Sequence, residues 1–156
     1  MTDRYKGGTG LISGQLPDPT GGRLELPAVP MAVRQARRWA AATLAHARRP
    51  PCQELIDTAV LVVSELVTNA IRATALAPGR SQPADQAQFA LVVKAEPGTL
   101  RIEVHDSAGG QLELPCAWDA SAEHGRGLMV VAALSRRWGW RPGPQGKVVW
   151  CEIAVE

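Results

Sequence analysis

Between Pro50-Pro51 and Pro78-Gly79, apolar residues recur at helical spacing: Ile56, Ala59, Val60, Val63, Leu66, Val67, Ala70 and Ile71 share one stripe. The flanking prolines and glycine bound this helix, because proline lacks the N–H that an interior turn needs. Glu65, Asn69 and Arg72 fall roughly opposite the stripe, so Glu65 and Asn69 are expected one turn apart, away from the core face. Upstream, "MAVRQARRWAAATLAHARR" is rich in alanine and free of glycine and proline, which predicts a helix from Met31 to about Arg48. Before it, "RLELP" (23–27) alternates apolar and polar residues and predicts a strand closed by Pro27 and Pro30.

Downstream the period changes from helical to alternating. "QFALVVKAE" (88–96) and "TLRIEVHDS" (99–107), joined at Pro97-Gly98, predict an antiparallel hairpin. A glycine- and proline-containing stretch follows. Then "GRGLMVVAALSRRWG" predicts a third helix opened by glycines, and "WGWRPGPQGKVVWCEIAVE" predicts two strands around the turn "PGPQG". Strand, two helices, hairpin, helix and hairpin, in that order, predict an α+β fold. The expected architecture is a two-layer sandwich with a mainly antiparallel sheet covered on one face by helices. Residues 1–22 read as a flexible lead-in and 23–156 as one domain.

Composition narrows the class. The chain has 156 residues, enough for one domain with a real core. Its formal net charge of +2 is too small to imply nucleic acid. The arginines of the first predicted helix read as a solvated face, because no aromatic interleaving accompanies them. No apolar run is long enough for a membrane span, and the N-terminus has no apolar signal core, so a cytoplasmic protein is expected. Cys52, Cys116 and Cys151 are odd in number, lack metal-site spacing and read as small apolar fillers. Trp39, Trp138, Trp140 and Trp150 are expected in the core, with a partner surface as the alternative.

Three short segments carry candidate chemistry. In "SELVTNAIRAT" (64–74), Asn69 offers an oxygen suited to Mg²⁺, and Glu65 could take a proton from an attacking hydroxyl or water. The same spacing also fits a solvated helix face. In "VHDSAGG" (104–110), Asp106 stands where a strand runs into glycines. A carboxylate there can accept from an exocyclic amino group, or simply open a turn. In "HGRGLMVV" (124–131), Gly125-Arg126-Gly127 opens a helix whose unpaired N–H groups favour phosphate, although a lone G-x-G discriminates little.

Taken together and in this order, the three segments resemble the Bergerat-fold, histidine-kinase-like ATPase superfamily. The likeness is nearest to the anti-sigma-factor serine/threonine kinase branch and its short actinobacterial-type regulators. "SELVTNAIRAT" is similar to that family's N box, "VHDSAGG" to its strand–Asp–glycine box, "GRGLMVVAALSRRWG" to its glycine-led helix, and "VVWCEI" to its closing strand. The resemblance implies ATP and Mg²⁺ as cofactors, Asn69 as metal ligand, Glu65 as catalytic base and Asp106 as adenine reader. It places Gly110 under the base, and Gly125, Arg126, Gly127 and Leu128 at the phosphate-covering turn. It implies γ-phosphoryl transfer to a small antagonist protein. A sigma factor or an anti-anti-sigma-like protein is the implied partner, with homodimers frequent among relatives. The chain departs from the pattern at Ala73, where the family often has histidine, and at Ala108, where many relatives have glycine. These departures leave a second reading: a non-catalytic ATP-binding or ATP-independent interaction module of the same fold.

Overall fold

The computed structural model describes residues 21–76, 86–106, 126–144 and 146–156. Strand β1 (Gly21–Pro27) leads into helices α1 (Met31–Ala45) and α2 (Gln53–Leu76). The hairpin β2 (Gln88–Glu96) and β3 (Thr99–Asp106) follows, then α3 (Arg126–Leu134) and the hairpin β4 (Arg137–Pro142) and β5 (Lys147–Ala154). The five strands form one sheet in the order β1-β2-β3-β5-β4, every neighbouring pair antiparallel. The fold is the expected α+β sandwich. Gly98 takes a φ of 71° in the β2–β3 turn, a left-handed conformation that glycine adopts without the steric cost other residues carry.

Alternation along the strands divides the sheet into two unlike faces. On one, Leu24, Leu26, Phe89, Leu91, Val93, Leu100, Ile102, Val104, Cys151 and Ile153 are buried and form the core with α1, α2 and Val131 of α3. α2 supplies Ile56, Ala59, Val62, Val63, Leu66, Val67 and Ala70 to that core, with Val60 and Ile71 only partly buried. The buried stripe is therefore rotated toward Val62, relative to the periodicity reading. The reason is tertiary: α2 contacts α1, α3 and β3 together, so its covered arc is wider than one stripe.

The other face carries an ion-pair ladder. Arg101 Nε donates to Glu103 Oε1 at 2.7 Å and its Nη1 to Glu152 Oε1 at 2.7 Å. Arg137 donates to Glu152 Oε2 through Nη2 at 2.6 Å, and His105 Nε2 lies 2.8 Å from Glu103 Oε2. The Arg101 guanidinium also stands 4.6 Å from the ring centroid of Trp150. Trp39 and Trp138 pack against the core, but Trp150 belongs to this opposite face and Trp140 is exposed. The expectation that all four pack the core is corrected by register. Val149, Cys151 and Ile153 point inward from β5, so Trp150 must point outward.

Four further expectations are corrected. α1 ends at Ala45, not near Arg48: His46 makes the last helical bond, N–H to Ala42 O at 3.1 Å, but leaves helical geometry with a ψ of 5°, and its ring Nδ1 lies 2.7 Å from the same oxygen. α3 ends at Leu134, and "RRWG" leaves the helix for the sheet, with Arg136 N–H donating to Glu152 O at 2.8 Å. Cys52 is exposed; Cys151 is the buried filler, its thiol pushed up to about 11 chiefly by burial. Cys116 lies outside the described residues. β1 begins at Gly21, inside the segment read as lead-in.

The ladder has a pH consequence. Burial pushes the Glu103 carboxyl up, but hydrogen bonds from Arg101 and His105 outweigh it and hold it below the ordinary value. At Glu152 the Arg137 hydrogen bond is the largest influence and also lowers it. A carboxyl lowered in the folded state contributes stability that is full above the unfolded value, near 4.5, and is lost as pH falls through the folded value. Urea midpoints should therefore fall between pH 5 and pH 3. Glu152→Gln should flatten that fall, and an unchanged slope in the variant would count against the ladder.

Candidate functional site

Glu65 and Asn69 lie on the half-buried flank of α2, beside the strip that packs the core. Ser64 and Thr68, which precede them, bond back to the helix itself, donating to Val60 O at 3.0 Å and Ser64 O at 2.7 Å, so their hydroxyls are occupied. The flank is not open to solvent. At the start of α3, Gly127 sits so close to the Glu65 carboxylate that a Cβ there would meet Oε2. The Asn69 amide Nδ2 is buried and has no hydrogen-bond partner among the described residues. Because oxygen and nitrogen of a carboxamide are assigned by their partners, an orphaned end can equally present the oxygen. A carboxamide end of this kind is chemically suited to a hard cation shared with phosphate oxygens.

Asp106 ends β3 on the helix-facing side, opposite Phe89. It is not a solvated turn residue, since its side chain is only 1% exposed. Its Oδ1 accepts the Lys147 backbone N–H at 3.1 Å, and its Oδ2 lies 2.8 Å from Lys147 Nζ. The Lys147 side chain is itself 9% exposed. Gly146 presses on the same carboxylate: a Cβ there would meet Oδ1 at 2.6 Å. The β4–β5 turn thus clamps Asp106 from above, with a glycine for close approach and a lysine for charge.

The structure brings the first and third sequence-derived segments into contact. Glu65 of the first touches Gly127 of the third, and α2 packs against both α3 and β3. Arg126 is the first residue of α3, and Leu128 packs against the edge of the core. Gly110, Gly125 and Ala108 lie outside the described residues. Lys147 and Gly146 were missed by sequence reasoning. Their signal was present: Lys147 opens a strand whose inward positions are otherwise Val149, Cys151 and Ile153, so the alternation turns its ammonium toward the core side.

The model of the histidine kinase-like ATPase domain family matches residues 26–153, from within β1 to within β5. No curated protein matches the chain. No helix of the described residues is long and apolar enough to cross a membrane.

Proposed function

The chain belongs to the histidine kinase-like ATPase domain family, and from that premise we propose that it is a Mg·ATP-binding regulatory protein acting as a serine/threonine kinase. It transfers the γ-phosphate to a hydroxyl on a small antagonist protein and binds a sigma factor or a similar partner, as a monomer or a homodimer. The family match supports ATP binding; the resemblance of the three segments to the anti-sigma-factor branch supports the rest. The observation that carries the kinase reading is the contact between Glu65 and Gly127. It sets a carboxylate beside the start of α3, where unpaired N–H groups and the helix dipole favour phosphate.

In this reading Glu65 accepts the proton of the attacking serine or threonine hydroxyl as its oxygen bonds to the γ-phosphorus in line with the leaving ADP oxygen. Asn69 would hold Mg²⁺, which when bound neutralises charge on the phosphate oxygens. Asp106 accepts a hydrogen bond from the adenine amino group, and the backbone N–H groups at the start of α3 orient the phosphates. Every other contribution from the chain is positioning, which is where most of the rate in phosphoryl transfer originates. A second reading is favoured by the Asp106–Lys147 pair: a binding module in which that carboxylate stays neutralised and nucleotide, where it binds, acts without turnover.

Incubation with γ-labelled ATP and a small anti-anti-sigma-like protein tests the proposal. Label on a partner serine or threonine supports the kinase. Stoichiometric ATP binding without label supports the module. Gly127→Ala gives a sharper test. The added methyl meets the far end of a flexible carboxylate, and alanine is the better helix former, so the fold should be kept with a change under about 1 kcal/mol. Transfer should fall about 100-fold, the order expected when a reacting group is displaced by roughly 1 Å. An unaltered rate would separate Glu65 from the chemistry.

A further inference from the structure

We infer that Lys147 is a second base-reading residue, donating a hydrogen bond to a ring nitrogen of the adenine whose amino group is held by Asp106. The inference rests on the ATP reading above and adds to it a residue that none of the three segments contains. Lys147 Nζ is buried and faces Asp106 Oδ2 at 2.8 Å, and it has no further acceptor among the described residues. An ammonium has three donors and no acceptor, so the ion pair engages one and leaves two uncommitted, a costly arrangement for a buried group until a ligand arrives.

Side by side, Asp106 and Lys147 present an acceptor next to a donor. The complementary edge is a donor next to an acceptor. Adenine offers that edge on both sides of its amino group, with N1 and with N7. The carboxylate takes the amino hydrogen and the ammonium gives one to the adjoining nitrogen, so both protein groups are satisfied at once. A phosphate has no donor and cannot present this pair; a ribose diol can, and the deaza analogues separate the two because they leave the sugar unchanged. The clamp is also fixed in place: the Lys147 N–H binds the same carboxylate through the backbone, and Gly146 leaves no room for Asp106 to retreat.

The test pairs the base with the side chain. Calorimetry measures ATP, 1-deaza-ATP and 7-deaza-ATP on the parent protein, on Lys147→Met and on Lys147→Gln. In the parent, one deaza analogue should bind roughly 10-fold or more weakly than ATP, the loss of one charge-assisted hydrogen bond. Lys147→Met should bind that analogue and ATP alike, while Lys147→Gln, a neutral donor, should restore part of the difference. A parent that binds ATP and both analogues equally overturns the inference while leaving the ATP reading intact. So does a penalty of the same size in Lys147→Met. A parent that binds no nucleotide overturns both. Should neither variant fold, the analogue series on the parent alone decides, with one penalised analogue in support and none against.

Discussion

Asp106→Ala should be the most damaging single change at the site, and in two separable ways. The first is stability. Lys147 would be left as a buried ammonium without its carboxylate, and breaking one side of a buried pair costs about 3–5 kcal/mol. For a domain of this size that lowers the melting temperature by roughly 10 °C. Most of the loss should return in the double variant Asp106→Ala/Lys147→Met, because removing both charges leaves nothing stranded. The second is binding. Loss of a hydrogen bond to a charged acceptor, about 1.5–3 kcal/mol, weakens ATP on the order of 10- to 150-fold. Thermal melts read the first effect. Calorimetry at a temperature where each variant is folded, comparing the double variant with Lys147→Met alone, reads the second. Equal ATP affinity in the two would remove Asp106 from the base pocket.

Glu65→Gln should do the opposite: binding intact, chemistry gone. The amide keeps the size of the side chain and so keeps the packing against Gly127, but it cannot take up a proton. Transfer to the partner hydroxyl should drop about 10²- to 10⁴-fold, the usual share of a general base. The Kd for Mg·ATP should stay within about 2-fold, and the melting temperature should hardly move, because the side chain is half-buried and has no ion-pair partner among the described residues. A glutamine variant transferring at the parental rate would hand the role of base to another group. One that loses ATP affinity would instead make Glu65 a binding residue.

The two variants probe residues of different legibility. Glu65 and Asn69 could be read from the chain because a helix fixes its own geometry: four residues make about one turn wherever the helix lies. The periodicity set them opposite the main apolar stripe, whereas the structure sets them beside it and half-buried, with Glu65 against α3. That Glu65 meets Gly127 could not be read, since α2 and α3 are far apart in sequence and only packing joins them. Asp106 was legible as a carboxylate at a strand end, yet it was readable equally as a solvated turn. Burial decided, and burial came from the β4–β5 turn, some forty residues later.

The sequence by itself determined the elements and the fold class. The β2 boundaries agree with the alternation reading to the residue, and the antiparallel hairpins follow from short turns that leave no room for a crossover. It also carried the three chemical segments, because their spacing is local. Tertiary structure alone decided where local preferences had to yield. α3 stops at Leu134 because Arg136 and Arg137 pair with β5, and Trp150 turns outward because the β5 register gives the inward places to Val149, Cys151 and Ile153. The union of Asp106 with Lys147 is of the same kind. Hydrogen-bond ladders and ion pairs between distant segments depend on which strands become neighbours, and that follows from burying the whole apolar surface at once rather than from any stretch of the chain.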